Sequence, residues 1–499
     1  MNNLKKSKVN FLVSFLYRLV ALALGLVIPR ITMSGYGSSI NGLLSSAIQF
    51  VGYLSLLEAG IQAVAQKALY KTVGCNDKSG TNEILSAVNK NYKKVGLYYL
   101  IGLSLLSIGY PIIIQKENLG FLTVFFVVFF SGLSNVVLFF FQGKYRILLH
   151  VEGKEYFISL MNIVTNVANS VIKIVLLYLR SNIAVVVFGS FIASMLPAVV
   201  TMVYIKTKYK WIDLKATPNY SALSQNKEAI AHQIAWMVFN NIDTVILTFF
   251  CDLKVVSVYA IYKMINNYMF LFSKIPFDSF SFRLGQIYNT DKERFKKYIN
   301  CAELFTGTIC FVLFTVTLCM TESFVGLYTS GVNDIKYVDS ILAILFVIVE
   351  LLNYIRTPVL STINYAGHFR QTIRSALIEI CIKIMVSVIG VIYLGIYGAL
   401  LGSIVSLFYR AVDAILYVNR KLLSRSPKRT FIYYAVLGIL ITSIYAVFVN
   451  LNIAINNYYK FVLVGGILTV VVGIIFLLSV CILFKEEWNF LKNNVLRRG

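Results

Sequence analysis

Apolar runs about twenty residues long, separated by short polar intervals, recur from one end of the chain to the other. The first reads VNFLVSFLYRLVALALGLVIP over residues 9–29. As a helix rising about 1.5 Å per residue it measures roughly 31 Å, the thickness of a bilayer's hydrocarbon core. The same pattern predicts helices near 40–66, 92–114, 119–143, 156–179, 183–205, 228–251, 254–277, 299–320, 338–361, 373–394, 398–419, 430–449 and 460–484,. The chain therefore reads as an all-α integral membrane protein with 14 transmembrane helices. The run at 40–66 exceeds a bilayer's thickness and is expected to continue beyond the membrane as one helix.

Loop charge tests this parity independently, because cytoplasmic loops of membrane proteins collect Lys and Arg. Starting inside with Lys5, Lys6 and Lys8, every second connection is basic. Lys67 to Lys94 form one such set, Lys144, Arg146 and Lys154 the next, and Lys206 to Lys227 a third. Arg283 to Lys297, Arg370 and Arg374, Arg420 to Arg429 and Lys485 to Arg498 complete the series. The intervening loops hold at most one each: Arg30, Lys116, Arg180, Lys254, Lys336 and Lys460. Both termini are thus expected to be cytoplasmic. The long basic connection KTKYKWIDLKATPNYSALSQNK (206–227) divides the first twelve helices. The expected organisation is a six-helix bundle over 1–205, a linker over 206–227 and a second six-helix bundle over 228–429. Helices 13 and 14 with a cytoplasmic tail fill 430–499. The bundles look like weak parallel repeats, an arrangement in which a transported molecule passes between the halves.

Composition agrees with lipid as the solvent. The chain is 58% hydrophobic and 14% charged, with a mean hydropathy of +0.74, where a soluble domain carries about 25% charged residues,. The net charge of +24 lies in alternate loops. It orients the protein and meets anionic membrane lipids, which removes nucleic acid as a partner. Cys75, Cys251, Cys301, Cys310, Cys319, Cys381 and Cys481 have no CxxC spacing and read as free thiols,. Ala21 and Ala23 form an A-x-A pattern inside the first apolar run rather than after it, so that helix reads as uncleaved,. There is no P-loop, HExxH, GxSxG or dinucleotide fingerprint, and His150, His232 and His368 are too scattered for a metal site,. No enzyme activity, metal or cofactor is expected. Energy for transport would come from a proton or sodium gradient, the membrane potential or the cargo's own gradient.

The chemistry is carried by charges inside the apolar runs, which are costly in lipid and should face a bundle interior or a wet cavity. Glu379 and Lys383 stand at i,i+4, and Arg410 and Asp413 at i,i+3, spacings that suit structural pairs within one helix,. Glu350 shares its helix with Arg356, which is close enough to the helix end to snorkel,. Arg18, Lys173 and Lys263 have no acidic residue three or four positions away and lie near mid-helix. They are the candidate cations for an anionic cargo, and a pyrophosphate matches Arg and Lys donors. The alternative is a buried ion pair with Asp243 or Glu58. Those two carboxylates are candidates for pairing the cations or binding a coupling ion. A cargo with a hydrocarbon tail would need a cavity that opens sideways to lipid.

IRTPVLSTINYAGHFRQTIRSALIEICIKIMVSVIGVIYLGIYGALLGSIVSLFYR (355–410) resembles helices 10–12 of polysaccharide-repeat flippases. KEAIAHQIAWMVFNNIDTVILTFFCDLKVVSVYAIYKMI (227–265) is similar to the start of their second bundle. SGYGSSINGLLSSAIQFVGYLSLLEAGI (34–61) is similar to their helix 1–2 region, and FRLGQIYNTDKERFKKYI (282–299) to their second basic loop. The resemblance spans nearly the whole chain. It implies the multidrug/oligosaccharidyl-lipid/polysaccharide (MOP) exporter fold in a bacterial cytoplasmic membrane. It also implies translocation of undecaprenyl-pyrophosphate-linked oligosaccharide repeat units to the outer leaflet for capsule or another surface polysaccharide. In that family a helix-1 cation and a helix-7 acid line the cavity, and Arg18 and Asp243 match these positions. A polysaccharide polymerase and an initiating glycosyltransferase are the implied partners. The rival readings are a lipid II flippase, a cation-coupled drug antiporter, a membrane polysaccharide polymerase and a scaffold for a polysaccharide assembly complex. A drug antiporter should favour interior acids over unpaired cations, and a polymerase should have a large outside loop, which this chain lacks.

Overall fold

The computed structural model describes residues 3–491 except 59, 118 and 224–226; within helices some side chains, those of Arg18 and His232 among them, lie outside that description. No strand occurs among the described residues. In order the helices are α1 (Asn3–Tyr36), α2 (Ser38–Leu54), α3 (Ile61–Gly74), α4 (Lys78–Ile113), α5 (Phe121–Val137), α6 (Gly143–Val151), α7 (Glu155–Tyr178) and α8 (Ile183–Lys208). They continue as α9 (Lys227–Phe250), α10 (Leu253–Thr290), α11 (Lys292–Tyr328), α12 (Ser340–Ala366), α13 (Phe369–Leu394), α14 (Ile396–Tyr417), α15 (Lys428–Asn450), α16 (Tyr458–Leu483) and α17 (Lys485–Leu491).

Each of the 14 expected positions carries a helix. Twelve of these are long and apolar enough to cross a membrane, counted over the described residues. The other two are α9, which contains Asn240, Asn241 and Asp243, and α10, which contains Lys263, Asn266 and Asn267. Their polar residues lower their hydropathy below that of their neighbours. Large apolar side chains face outward along the rods, as at Leu105 (66% exposed) and Val462 (71% exposed), which suits a multi-pass membrane protein,.

Helix ends are fixed by local chemistry. The Asp77, Asp291 and Asp339 carboxylates accept the backbone N–H groups of Gly80, Arg294 and Leu342 at 2.9–3.0 Å, satisfying donors that the helix itself cannot,. Gly367 ends α12 in the left-handed region at φ 68°,. The expected single helix over 40–66 is corrected: α2 stops at Leu54, a 3-10 turn covers Ser55–Glu58, and Gly60 turns the chain at φ 86° before α3. A left-handed residue ends α-helical hydrogen bonding, and glycine takes that conformation at little cost.

By packing the chain forms two compact units, Met1–Ser257 and Val258–Gly499. In the first, α1 packs along α7, α5 along α4 and α8, and α9 along α2. The linker expected at 206–227 lies against the start of α4: Asn82 Nδ2 donates to the Trp211 carbonyl (3.1 Å) and Ser86 Oγ to that of Leu214 (3.1 Å). In the second unit α11 is the central rod, flanked by α12, α15, α16 and α17. There α13 and α14 approach so closely that a Cβ on Gly398 would overlap the backbone of Gly390,.

Candidate functional site

In the first unit the interior charges gather where α4, α6 and α7 meet. Tyr92, fully buried on α4, donates from its hydroxyl to Glu58 Oε1 at 2.6 Å. The 3-10 turn that ends α2 is what brings Glu58 to this partner. Between α5 and α6 the helix widens into a π-turn over Leu138–Gln142, and the Gly143 N–H bonds five residues back to the Leu138 carbonyl. The extra residue rotates everything after it by about 100° relative to α5. In this setting Arg146 Nη2 donates to Asn162 Oδ1 on α7 at 3.2 Å, with Glu58, Glu155 and Tyr17 in its electrostatic field.

Arg146 was expected in a cytoplasmic loop after a helix ending at 143, and the structure corrects that helix end. The helix runs on to Val151, because Ile147, Leu148 and Leu149 are buried. That apolar run after Arg146 was the signal available in the sequence. Beyond it, Lys154 bonds Glu152 (2.8 Å) and the Tyr209 hydroxyl. Burial works against the Lys154 ammonium, but these two hydrogen bonds outweigh it and hold its pKa above the usual lysine value.

A cavity of about 150 Å³ lies inside the unit between the α5–α6 rod, α7 and α8. Arg146 and Asn162 open into it, with Asn135, Gln142 and Thr165 on its wall. The Tyr36 hydroxyl donates to the Ser181 carbonyl at 2.6 Å, so the C-terminal ends of α1 and α7 lie together and the helices run parallel. Counted back from that end at about 1.5 Å per residue, Arg18 is level with Asn162, and Lys173 stands roughly 15 Å further along. The side chain of Arg18 is outside the described set. Lys173 is half-buried and, among the described residues, makes no hydrogen bond or ion pair. Asp243 is buried (4% exposed) on α9, where α9 packs on α2 and Tyr53 lies in its field. His150, one of the three expected scattered histidines, pairs with Glu155 at 2.7 Å.

In the second unit a buried ion network crosses three helices. Arg356 on α12 donates to Glu379 on α13, and Arg410 Nε on α14 lies 3.6 Å from the other oxygen of the same carboxylate. Arg410 Nη1 also meets Asp413 at 3.1 Å, the i,i+3 neighbour. Asn353 joins Arg356 to Glu350, accepting from Arg356 Nε (3.0 Å) and donating to Glu350 Oε2 (3.1 Å). Lys263 on α10 and Lys383 on α13 lie in the field of Glu350, and the Lys263 ammonium sits 5.6 Å from the Tyr259 ring centre. Arg356, expected to snorkel, is instead buried and ion-paired. Of the expected cations, Arg18 and Lys173 thus lie in the first unit and Lys263 in the second, and the first unit also holds Arg146, which was not among them. Among the described residues no His, Cys, Asp and Glu group could hold a metal ion.

No protein-family model matches the sequence, and no curated protein matches it. Solved structures do. The lipid II flippase MurJ, in an inward closed conformation, superimposes with a TM-score of 0.58 at 14% identity over 96% of this chain and 99% of its own. The MATE multidrug transporter DinF-BH gives 0.58 at 16% identity over 83% and 95%. An inward-facing multidrug resistance MATE transporter of the MOP superfamily gives 0.53 at 14% identity over 82% and 98%. At these identities the likeness establishes the fold. Among the described residues the chain is all-helical, with twelve helices long and apolar enough to cross a membrane, and it shares its fold with these MATE and MurJ structures, which are transporters.

Proposed function

We propose that this protein flips undecaprenyl-pyrophosphate-linked oligosaccharide repeat units across a bacterial cytoplasmic membrane for surface polysaccharide synthesis, by alternating access. The observation that carries the reading is Lys173, a cation at membrane depth with no counter-ion among the described residues. A buried cation without a partner is costly, and an anionic cargo supplies the partner. The fold supports the same reading. The lipid II flippase matches 96% of the chain, while the MATE structures match 82–87%. In this mechanism Arg18, Lys173 and Lys263 are the cations that meet the anionic pyrophosphate in turn along its path, and the polyprenyl tail stays in lipid. Asp243 and Glu58 serve to pair these cations between cycles or to bind a coupling proton or sodium ion. A polymerase and an initiating glycosyltransferase are the proposed partners, with both termini cytoplasmic.

The test is the leaflet distribution of lipid-linked repeat units in cells carrying Lys173→Ala or Lys173→Arg at matched membrane levels. Losing one charge-assisted contact should cut outer-leaflet units about tenfold or more in Lys173→Ala, with partial recovery in Lys173→Arg. An unchanged distribution in both sinks the role of Lys173. Collapsing the proton or sodium gradient in the same assay must slow translocation if Asp243 or Glu58 couples it. A drug antiporter would instead change drug susceptibility and leave the repeat units where they were.

A further inference from the structure

The cavity in the first unit has a definite chemistry. At about 150 Å³ it matches the volume at which an engineered protein cavity admits one six-membered ring,. Its wall is unlike a core void. Arg146 has five N–H donors and spends one, on Asn162,. Among the described residues no carboxylate lies within ion-pair distance of it; Glu58 and Glu155 act only through their field. Asn162 lines the same cavity, and its amide nitrogen makes no hydrogen bond among the described residues. Thr165 and Ser194 give their hydroxyl protons to the Met161 and Phe191 carbonyls, so their oxygens remain as acceptors. Leu138, Leu149, Phe157, Ile158, Met161 and Pro197 form its apolar wall.

Donors, acceptors, one flat apolar wall and one guanidinium together complement a hydroxylated ring that carries a single anionic group. Inorganic phosphate would use the guanidinium but has no ring to lay on the apolar wall. The geometry points to a sugar subsite here, specific for a uronic-acid-type residue of the transported glycan, with Arg146 on its carboxylate and Asn162 and Thr165 on ring hydroxyls. The site deepens the flippase reading and depends on it only for the origin of the sugar, because binding is measured without translocation.

Purified full-length protein in detergent would be heated with D-glucuronate, D-glucose or inorganic phosphate, and the unfolding midpoint followed against concentration. Glucuronate should raise the midpoint, with glucose at least about tenfold weaker because it lacks the charged hydrogen bond, and phosphate weaker because it has no ring to lay on the apolar wall. Arg146→Gln should abolish the preference for glucuronate over glucose, and Arg146→Lys should keep part of it. Ser194→Leu, which fills the cavity and leaves the charge in place, should abolish binding altogether. The ligand-free midpoint of each variant reports its folding, so a collapsed Arg146→Gln leaves Arg146→Lys and Ser194→Leu as the tests. Equal response to glucuronate and phosphate, a response that survives Ser194→Leu, or no response in the wild type overturns the subsite. A failed subsite with defective Lys173→Ala translocation leaves the flippase reading standing. A sugar response with normal Lys173→Ala translocation removes the Lys173 argument alone.

Discussion

Glu379 shows how strongly one side chain's environment decides its cost. Its carboxylate lies between Arg356 and Arg410, all three less than a tenth exposed. Removing one member of a buried ion network leaves charge without compensation, at a cost of about 3–5 kcal/mol. Glu379→Gln should therefore lower the thermal midpoint of the purified protein sharply. Arg356→Met combined with Glu379→Met should recover much of that loss, because Arg410 keeps Asp413 at 3.1 Å. A double variant as unstable as the single one would assign Glu379 a role outside the network. From the sequence, the i,i+3 spacing of Arg410 and Asp413 was readable, since it needs only helical geometry. The bonds from Glu379 to α12 and α14 were not, because contacts between helices depend on packing that a single chain pattern does not encode. Arg146 was hidden for a different reason: a basic residue at the end of an apolar run reads as a loop.

Among the elements, α13 and α14 pair through glycine. Gly390 and Gly398 meet backbone to backbone, and Gly402 faces Ser387. Gly398→Leu should separate these helices and with them the Glu379–Arg410 contact, so the protein should vanish from the membrane fraction. Gly466→Leu on α16, where nothing lies within 4 Å, should be tolerated. Equal accumulation of both variants would show that the close approach is dispensable. Element existence was legible throughout, because twenty apolar residues have few other uses. Interruptions within elements were less so. Gly60 turns the chain by its left-handed conformation before α3, and the π-turn at 138–142 adds one residue to a helix without changing its hydropathy, which leaves no mark in an apolar pattern.

At the scale of the whole molecule, the sequence carried the class, the helix positions and the alternation of charge. How Arg18 and Lys173 stand relative to one another came only with the structure, from one hydrogen bond between the ends of α1 and α7. The unpartnered Lys173 has a consequence for how long the protein lasts in a cell. Under the proposed function an empty protein holds a Lys173 charge with no counter-ion among the described residues, and a loaded one does not. Any ligand that binds only the native state stabilises it by about 2.7 kcal/mol at a hundred times its dissociation constant. Quality-control proteases attack the less stable form more often. Cells unable to make the lipid-linked glycan should accordingly degrade this protein faster, by several-fold in a pulse-chase measurement, and Lys173→Met should remove the difference. Equal half-lives in producing and non-producing cells would mean that the charge is satisfied without cargo. On this view, supply of the glycan sets the abundance of its own carrier, with no regulator between them.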